Sequence, residues 1–368
     1  MFRGARAASA VRVIPFGFRP PGFVLDPEVE WVLQRAFGPP EWTPKREILG
    51  SRLANVSLQL DLASRISARH PRELIEREVG ATAGHRFREQ YVATVARGAL
   101  LDHALNELLR IAQTQNIACI LLKYAALSRT GVLRVGSRAA TDLDVLVPQA
   151  RAREFQAHLL QHGYRDLGLS ESSHQLAALQ APSGVLVELH LHVPLITLAH
   201  GQPFARAEDL QQAGLLTRSW DSALVPDSAV LAAHAIAHGL MQHAQAPHMC
   251  SPLKTFADLA DLQVTTPDVV ERARPYLIRT MTVDDLASVE TLTRALQNGD
   301  LQLAMKGGPG VILRHALAGQ LDRRYALCLR VGSLVRNRGT SKVRSPAQLF
   351  KSLSAAWEFV RTGPNRAP

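Results

Sequence analysis

Apolar residues recur every three or four positions along the first third of the chain, and this period is typical of amphipathic helices. The clearest such stretch runs from Arg88 to Gln115. The pattern changes at residues 117–122, where a short and nearly continuous apolar run predicts a buried strand. A short helical stretch is predicted directly after Lys123. The pattern therefore predicts helices first and a sheet immediately afterwards.

Further strands and one helix are predicted beyond the first strand. The helix runs from Arg151 to His162, and Gly163 provides a C-terminal stop because glycine tolerates the left-handed conformation. Residues 182–184 (Pro-Ser-Gly) predict a turn between the last two strands. The strands themselves are predicted at residues 141–147, 174–179 and 185–193.

The rest of the chain is predicted to be helical again. Asp227 has the character of an N-cap for a helix that reaches about Gln242. Thr282, with an aspartate three residues on, has the pattern of another helix start. Two more helices are predicted, one at residues 254–262 and one that opens at Thr266 and Pro267.

Together these elements predict an α+β protein in which a small mixed β-sheet lies between helical regions. In chain order we expect a basic flexible tail, an N-terminal helical region, an α/β core, a C-terminal helical region and a second basic tail. The expected bounds of these five parts are 1–26, 27–116, 117–200, 201–320 and 321–368.

Composition indicates that the chain folds, and its charge favours an anionic partner. With 46% hydrophobic residues among 368, the chain can bury a core, which excludes global disorder. No stretch approaches the roughly 20 consecutive apolar residues of a membrane helix, so we expect no membrane partner. The formal net charge of +10 favours a polyanion such as a nucleotide or a nucleic acid.

The two ends of the chain are basic. The first 25 residues carry four arginines and no acid, and their prolines favour a flexible tail over a targeting peptide. From Leu321 to Pro368 there are ten lysines and arginines against two acids, so this tail either binds a nucleic acid or is simply solvated. The cysteines are far apart and predict neither a disulfide nor a thiolate zinc site, which fits a reducing, cytoplasmic setting. They are Cys119, Cys250 and Cys328.

Carboxylates mark two of the predicted strands. Asp142 and Asp144 are separated by one residue, so their side chains leave the same face of a strand. Glu188 lies on the strand predicted at 185–193 and joins them if the two strands are neighbours. Carboxylates this close repel one another and favour a shared cation. The three residues predict a Mg²⁺ site that is able to hold two metals, and three unrelated surface acids are the alternative.

Five short motifs occur in order along the centre of the chain. Their order and spacing resemble an uncharacterised nucleotidyltransferase family of the DNA-polymerase-beta-like superfamily. The resemblance covers about residues 84–262, including His234, His238, Lys254 and Asp258 downstream of the motifs. The motifs are residues 120–127 (ILLKYAAL), Arg138 with residues 142–147 (DLDVLV), Gly163–Tyr164, His174 and residues 187–190 (VELH).

The resemblance implies a role for each residue of the central motifs. Asp142 and Asp144 are implied to bind Mg²⁺, or Mn²⁺, together with a nucleoside triphosphate such as ATP. Glu188 is implied to bind a second metal or to accept the proton of the acceptor. Lys123 and Arg138 are implied to contact the triphosphate, where positive charge stabilises the departing pyrophosphate.

Two positions depart from the family pattern. Tyr124 stands where the family has glycine, a residue whose backbone can approach phosphates closely. The tyrosine ring either blocks that approach or swings out and stacks on a base. Leu191 stands where the family tends to have tryptophan.

Serine and histidine side chains supply weaker candidates. Ser137 follows a glycine as in a phosphate turn, but it lies too close to the first aspartate for an intervening helix, so a plain loop is favoured. His190 is a candidate contact to nucleotide, metal or acceptor, and an ordinary hydrogen-bonded histidine is its alternative. His234 and His238 have the i, i+4 spacing of a metal pair, yet a place in the core or behind the cleft is favoured over zinc.

The expected function is therefore Mg²⁺-dependent transfer of a nucleoside monophosphate from an NTP to a hydroxyl or another nucleophile, with release of pyrophosphate. The acceptor is a small molecule, a protein or an RNA. One alternative, which Tyr124 favours, is a catalytically impaired nucleotide-binding or adaptor protein of a biosynthetic cluster. Another, which the positive charge favours, is a toxin-like enzyme that modifies tRNA or protein.

Overall fold

The structure, a computed structural model, describes most of the chain between its two ends. The two predicted basic tails fall almost entirely outside the described residues. Within the described part, no helix is both long enough and apolar enough to cross a membrane. The described residues are 25–44, 48–198, 201–219, 223–243, 251–322, Tyr325, Ala326 and Leu329.

Helices precede the sheet, as the apolar period predicts. Asp26 caps the first of them, because its carboxylate accepts a hydrogen bond from the backbone N–H of Val29 at 2.9 Å. The long helix predicted from Arg88 is confirmed and begins earlier, at Ala81. These helices are α1 (Pro27–Phe37), α2 (Gly50–Gln59), α3 (Ala63–Arg69), α4 (Arg72–Val79) and α5 (Ala81–Thr114).

Strands from the middle of the chain form a mixed sheet, which confirms the predicted α+β class. In chain order they are β1 (Ile120–Leu121), β2 (Asp142–Leu146), β3 (Arg165–Asp166), β4 (Leu179–Gln180), β5 (Leu186–His190), β6 (Val193–Pro194), β7 (Phe204–Ala205), β8 (Leu216–Arg218) and β9 (Leu224–Pro226). In the described residues the main sheet has the order β3-β4-β5-β2-β1-β9-β8, and β6 pairs with β7 separately. The central pair β2 and β5 is parallel, whereas β1 is antiparallel to β2.

The strand predicted at 174–179 is wrong except for its last residue. The backbone of His174 accepts a hydrogen bond from Leu191 at 2.8 Å, and Gln175 forms a single bridge with His190. This segment therefore meets the end of β5 at isolated points before β4 begins at Leu179. Strands β3, β7, β8 and β9 were not predicted, because strands of two or three residues are too short to carry a periodic pattern.

The helical character predicted for the C-terminal half is confirmed, although short strands interrupt it. Asp227 caps its helix through a 2.8 Å bond from the Val230 N–H, and a π-helical turn carries the helix on to Gln242. The predicted start at Thr266 is wrong by a few residues, because Thr266 ends the preceding helix and Asp268 begins the next one. The remaining helices are α6 (Lys123–Arg129), α7 (Ala152–Gln161), α8 (Ala207–Gln212), α9 (Ser228–Ile236), α10 (Pro252–Thr265), α11 (Val269–Leu277), α12 (Val283–Gln297), α13 (Leu301–Ala304) and α14 (Gly307–Leu321).

Helices from before and after the sheet pack against each other. The buried guanidinium of Arg65 on α3 contacts both carboxylate oxygens of Asp261 on α10, at 2.6 and 2.9 Å. The hydroxyl of Ser251 donates to the carbonyl of Leu60 at 3.2 Å. Helix α10 also packs on α9, helix α9 packs on α6, and α6 in turn packs on β2. These contacts bring both helical regions to the part of the sheet that carries the carboxylates.

Candidate functional site

Strand register brings two of the predicted carboxylates together. Strands β2 and β5 are neighbours, and Asp144 lies directly opposite Glu188 in their parallel ladder. His190 follows Glu188 by two residues and so leaves the same face of β5. One ligand atom from each of these three residues lies within 4.8 Å of those of the other two. Asp142, two residues earlier on β2, lines the same cavity.

Asp144 is the most enclosed of the carboxylates. Its side chain is 3% exposed, and its Oδ1 atom lies 2.6 Å from Lys123 Nζ and 2.8 Å from His190 Nε2. Burial opposes ionisation of this carboxyl, but the Lys123 ammonium and the His190 hydrogen bond hold its pKa well below the ordinary value. Asp144 is therefore an anion at neutral pH despite its burial.

The pKa of Glu188 is shifted in the opposite direction to that of Asp144. Its side chain is partly buried, and its Oε2 atom lies 3.7 Å from His190 Nε2. Burial and then the neighbouring charge of Asp144 raise the pKa of this carboxyl. A carboxyl in this environment gains from a proton or a cation, so the two acids of the pair differ in what they can do.

Lys123 lies at the turn from β1 into α6. Its backbone has a φ of 44°, in the left-handed region that costs a non-glycine residue about 1–3 kcal/mol. Burial lowers the pKa of its ammonium, but the adjacent Asp144 more than offsets this effect and leaves the pKa raised. The sharp turn thus directs a protonated ammonium at the carboxylate cluster.

Tyr124, the departure from the family pattern, lines the same cavity. Its hydroxyl lies against Gly98 on α5, and its side chain is hydrogen-bonded to Ser128 one turn further along α6. The ring tip therefore contacts helices α5 and α6. Burial, followed by the charge of Asp102, raises the pKa of this phenol, which keeps it neutral.

The contact between Tyr124 and Gly98 gives a testable coupling. A Cβ atom at Gly98 would lie 2.9 Å from the tyrosine hydroxyl, which is too close. Replacing glycine by alanine inside a helix otherwise gains about 0.5–1 kcal/mol. We expect Gly98→Ala to stabilise the Tyr124→Phe variant by this amount and the natural chain by clearly less, as measured by urea unfolding. Equal gains in both backgrounds would contradict the placement of the ring.

Arg138 and Ser137 have different positions although they are adjacent. The Arg138 side chain lines the cavity, with its Nε atom 2.7 Å from Asp258 Oδ1 on α10. Ser137 is buried, and among the described residues its hydroxyl has no hydrogen-bond partner. Ser137 is not among the residues that line the cavity with the carboxylates. The structure thus brings Arg138, but not Ser137, to the site.

The cavity has a volume of about 570 Å³ and lies over the carboxylates. Its wall also includes Asp61, Gln242 and His243, which sequence reasoning did not select. Asp61 forms an ion pair with Lys254, so the N-terminal helices contribute directly to the site. No local sequence signal marks Asp61, because it enters the cavity only through the packing of α2 and α3 on α10.

His234 and His238 also line this cavity. Burial lowers the pKa of His234 to about 3, and burial together with the Lys123 charge holds the pKa of His238 well below its ordinary value. His238 Nε2 lies 3.1 Å from His243 Nε2. Both buried rings are therefore neutral, which suits them to hydrogen bonding behind the charged groups.

The donor set at the carboxylates fits a divalent cation. Two carboxylates and one imidazole present ligand atoms to a common region. The ammonium of Lys123 already forms an ion pair with one oxygen of Asp144. Such oxygens hold Mg²⁺ and Mn²⁺ in proteins, usually together with phosphate oxygens of a substrate. The residues present therefore fit the cation that nucleotidyl transfer requires.

The mixed sheet carries carboxylates on adjacent parallel strands, beside a lysine and an arginine that line the same cavity. The family model described as an uncharacterised nucleotidyltransferase matches residues 51–283, more than half of the 368 residues. The chain belongs to this family, as the motifs predicted. No curated protein and no solved structure matches the chain.

Proposed function

We propose that this protein transfers a nucleoside monophosphate from an NTP to an acceptor nucleophile and releases pyrophosphate. The observation that carries the proposal is the register of β2 and β5, which sets Asp144 opposite Glu188 beneath a cavity that Lys123 and Arg138 also line. Membership of a nucleotidyltransferase family supports the same reaction. The acceptor is a small molecule, a protein or an RNA.

In this proposal the cationic side chains hold the triphosphate. Lys123 is charged and lies 2.6 Å from Asp144, so its ammonium can also contact a phosphate oxygen at the edge of the carboxylate cluster. Arg138 uses its Nε for Asp258, and that bond orients the guanidinium at the cavity wall. Positive charge at these positions stabilises the pyrophosphate as negative charge develops on it. Ser137 stays a candidate for phosphate contact only if its loop opens.

The carboxylates are assigned different roles because their environments differ. Asp144, with Asp142, would hold a Mg²⁺ or Mn²⁺ ion that neutralises phosphate charge. Glu188, with its raised pKa, is suited to take the proton of the acceptor hydroxyl. The acceptor oxygen then forms a bond to the α-phosphorus, and the bond from that phosphorus to the bridging oxygen breaks. Pyrophosphate carries away the electron pair.

A second candidate function follows from Tyr124. The ring occupies a position where the family pattern has glycine, and it lines the cavity. A chain in which the ring restricts the phosphate path would bind a nucleotide without transferring it and serve as an adaptor for a partner enzyme. The contact of its hydroxyl with Gly98 favours the transferase over the adaptor, because it directs the tip of the ring towards α5.

The test is incubation of the full chain with each α-labelled NTP and Mg²⁺ or Mn²⁺, with and without cell extract. We expect label to appear on one macromolecule or one small molecule, together with release of pyrophosphate. The Asp144→Asn variant under the same conditions reports background transfer by the extract. Tight NTP binding without any label transfer would instead support the adaptor.

A further inference from the structure

The carboxylate cluster differs from an all-oxygen metal site because it contains an imidazole. In the part of the chain that the structure describes, Asp144, Glu188 and His190 are the group whose ligand atoms all lie within 4.8 Å. We propose that His190 is a direct ligand of the divalent cation at this site. With this ligand, the site prefers a transition-metal ion such as Co²⁺ or Zn²⁺ to Mg²⁺. This inference rests on the proposed function, because it concerns the same cation.

His190 is held rigidly enough to act as a ligand. It ends β5, and its carbonyl accepts a hydrogen bond from the Val147 N–H at 3.0 Å. On its other side it forms a bridge with Gln175, and the residue as a whole is 4% exposed. Backbone contacts on both sides and the low exposure limit the directions in which the ring nitrogen can point, which is what a selective metal site needs.

The alternative role for His190 is to position Asp144 as a hydrogen-bond donor. An ionised carboxylate only accepts hydrogen bonds, so the 2.8 Å contact places a proton on Nε2 when no cation is bound. A metal-bound Nε2 cannot carry that proton, so the two roles exclude each other in the loaded state. The Lys123 ammonium lies 2.6 Å from the same oxygen of Asp144, so a positive charge stays beside this carboxylate when the imidazole binds a cation instead.

The position of Nε2 between the two acids favours the ligand role. This nitrogen lies 2.8 Å from Asp144 and 3.7 Å from Glu188, so a cation bound to Asp144 lies within reach of the imidazole. Imidazole nitrogen binds later first-row metals much more strongly than it binds Mg²⁺, which prefers oxygen and retains its water. An imidazole in the donor set therefore changes the order of metal preference, and this effect is measurable without turnover.

The test compares Co²⁺ and Mg²⁺ binding to the full-length protein by calorimetry, with the visible absorption of Co²⁺ as a second signal. In His190→Gln an amide can still donate to Asp144, but the imidazole ligand is lost. We expect this variant to lose at least about tenfold in Co²⁺ affinity and less than about threefold in Mg²⁺ affinity. His162→Gln, at an exposed histidine that does not line the cavity, is the matched control and should change neither affinity.

A measurement on the natural chain makes the test independent of the folding of the variant. Electron spin-echo spectroscopy of the Mn²⁺-loaded protein should detect one directly bound imidazole nitrogen. Equal losses of affinity for Co²⁺ and Mg²⁺ in His190→Gln, or a spin-echo spectrum without a signal from bound nitrogen, would overturn the inference and leave the proposed function intact. Absence of metal binding by the natural chain, with or without NTP, would overturn both.

Discussion

Asp144→Asn is expected to lower nucleotide transfer by at least about 10³-fold and to weaken binding of the Mg²⁺–NTP complex. Asparagine preserves the shape of the side chain and removes the negative charge that Lys123 and a cation both contact. Transfer is measured as label moved from an α-labelled NTP, and binding is measured by calorimetry. Asp268→Asn is a matched control, because Asp268 is exposed and its side chain makes no capping hydrogen bond.

The same substitution should also lower the free energy of unfolding. It leaves the largely buried Lys123 ammonium without its closest anion. The expected loss is below the about 3–5 kcal/mol of a fully isolated buried charge, because Asp142 and Glu188 still attract the ammonium. Lys123→Met added to Asp144→Asn should restore part of the stability in urea and none of the activity. Recovery of activity would contradict the assignment of both residues.

Glu188→Gln is expected to lower transfer by about 10²–10⁴-fold, the usual range for loss of a general base. Affinity for the nucleotide should fall far less than in Asp144→Asn, because Asp142 and Asp144 keep their charges. Single-turnover rates at saturating NTP separate the two effects. Glu171→Gln, at an exposed glutamate that pairs with Arg153, is the control and should retain full activity.

The pH dependence gives an independent check on Glu188. Its pKa is raised by burial and by Asp144, so its carboxylate forms only at a higher pH than that of an ordinary glutamate. In the natural chain transfer should therefore increase as the pH rises through this raised pKa, and Glu188→Gln should lose that limb of the profile. If transfer by the variant still increased with pH over the same range, another group would be responsible for the titration, and Glu188 would not be the residue that takes the proton.

Much of the architecture could be predicted from local pattern. The apolar period predicted the long helix α5, and the capping residues Asp227 and Thr282 predicted helix starts that the structure confirms. These features depend on residues a few positions apart, so the sequence contains the whole signal. Strands β8 and β9 escaped prediction because strands of three residues depend on their partners in the sheet.

The same distinction divides the residues of the site. By itself, the sequence determined that Asp142 and Asp144 share one face of a strand, because side-chain alternation is a local property of the backbone. Only the tertiary structure decided that Glu188 lies opposite Asp144, that Lys123 and His190 contact one oxygen of Asp144, and that Ser137 is not among the residues that line the cavity. Asp61 reaches the cavity from the N-terminal helices in the same way. These relations join residues far apart in the chain, and they arise from strand register and helix packing, which no local pattern encodes.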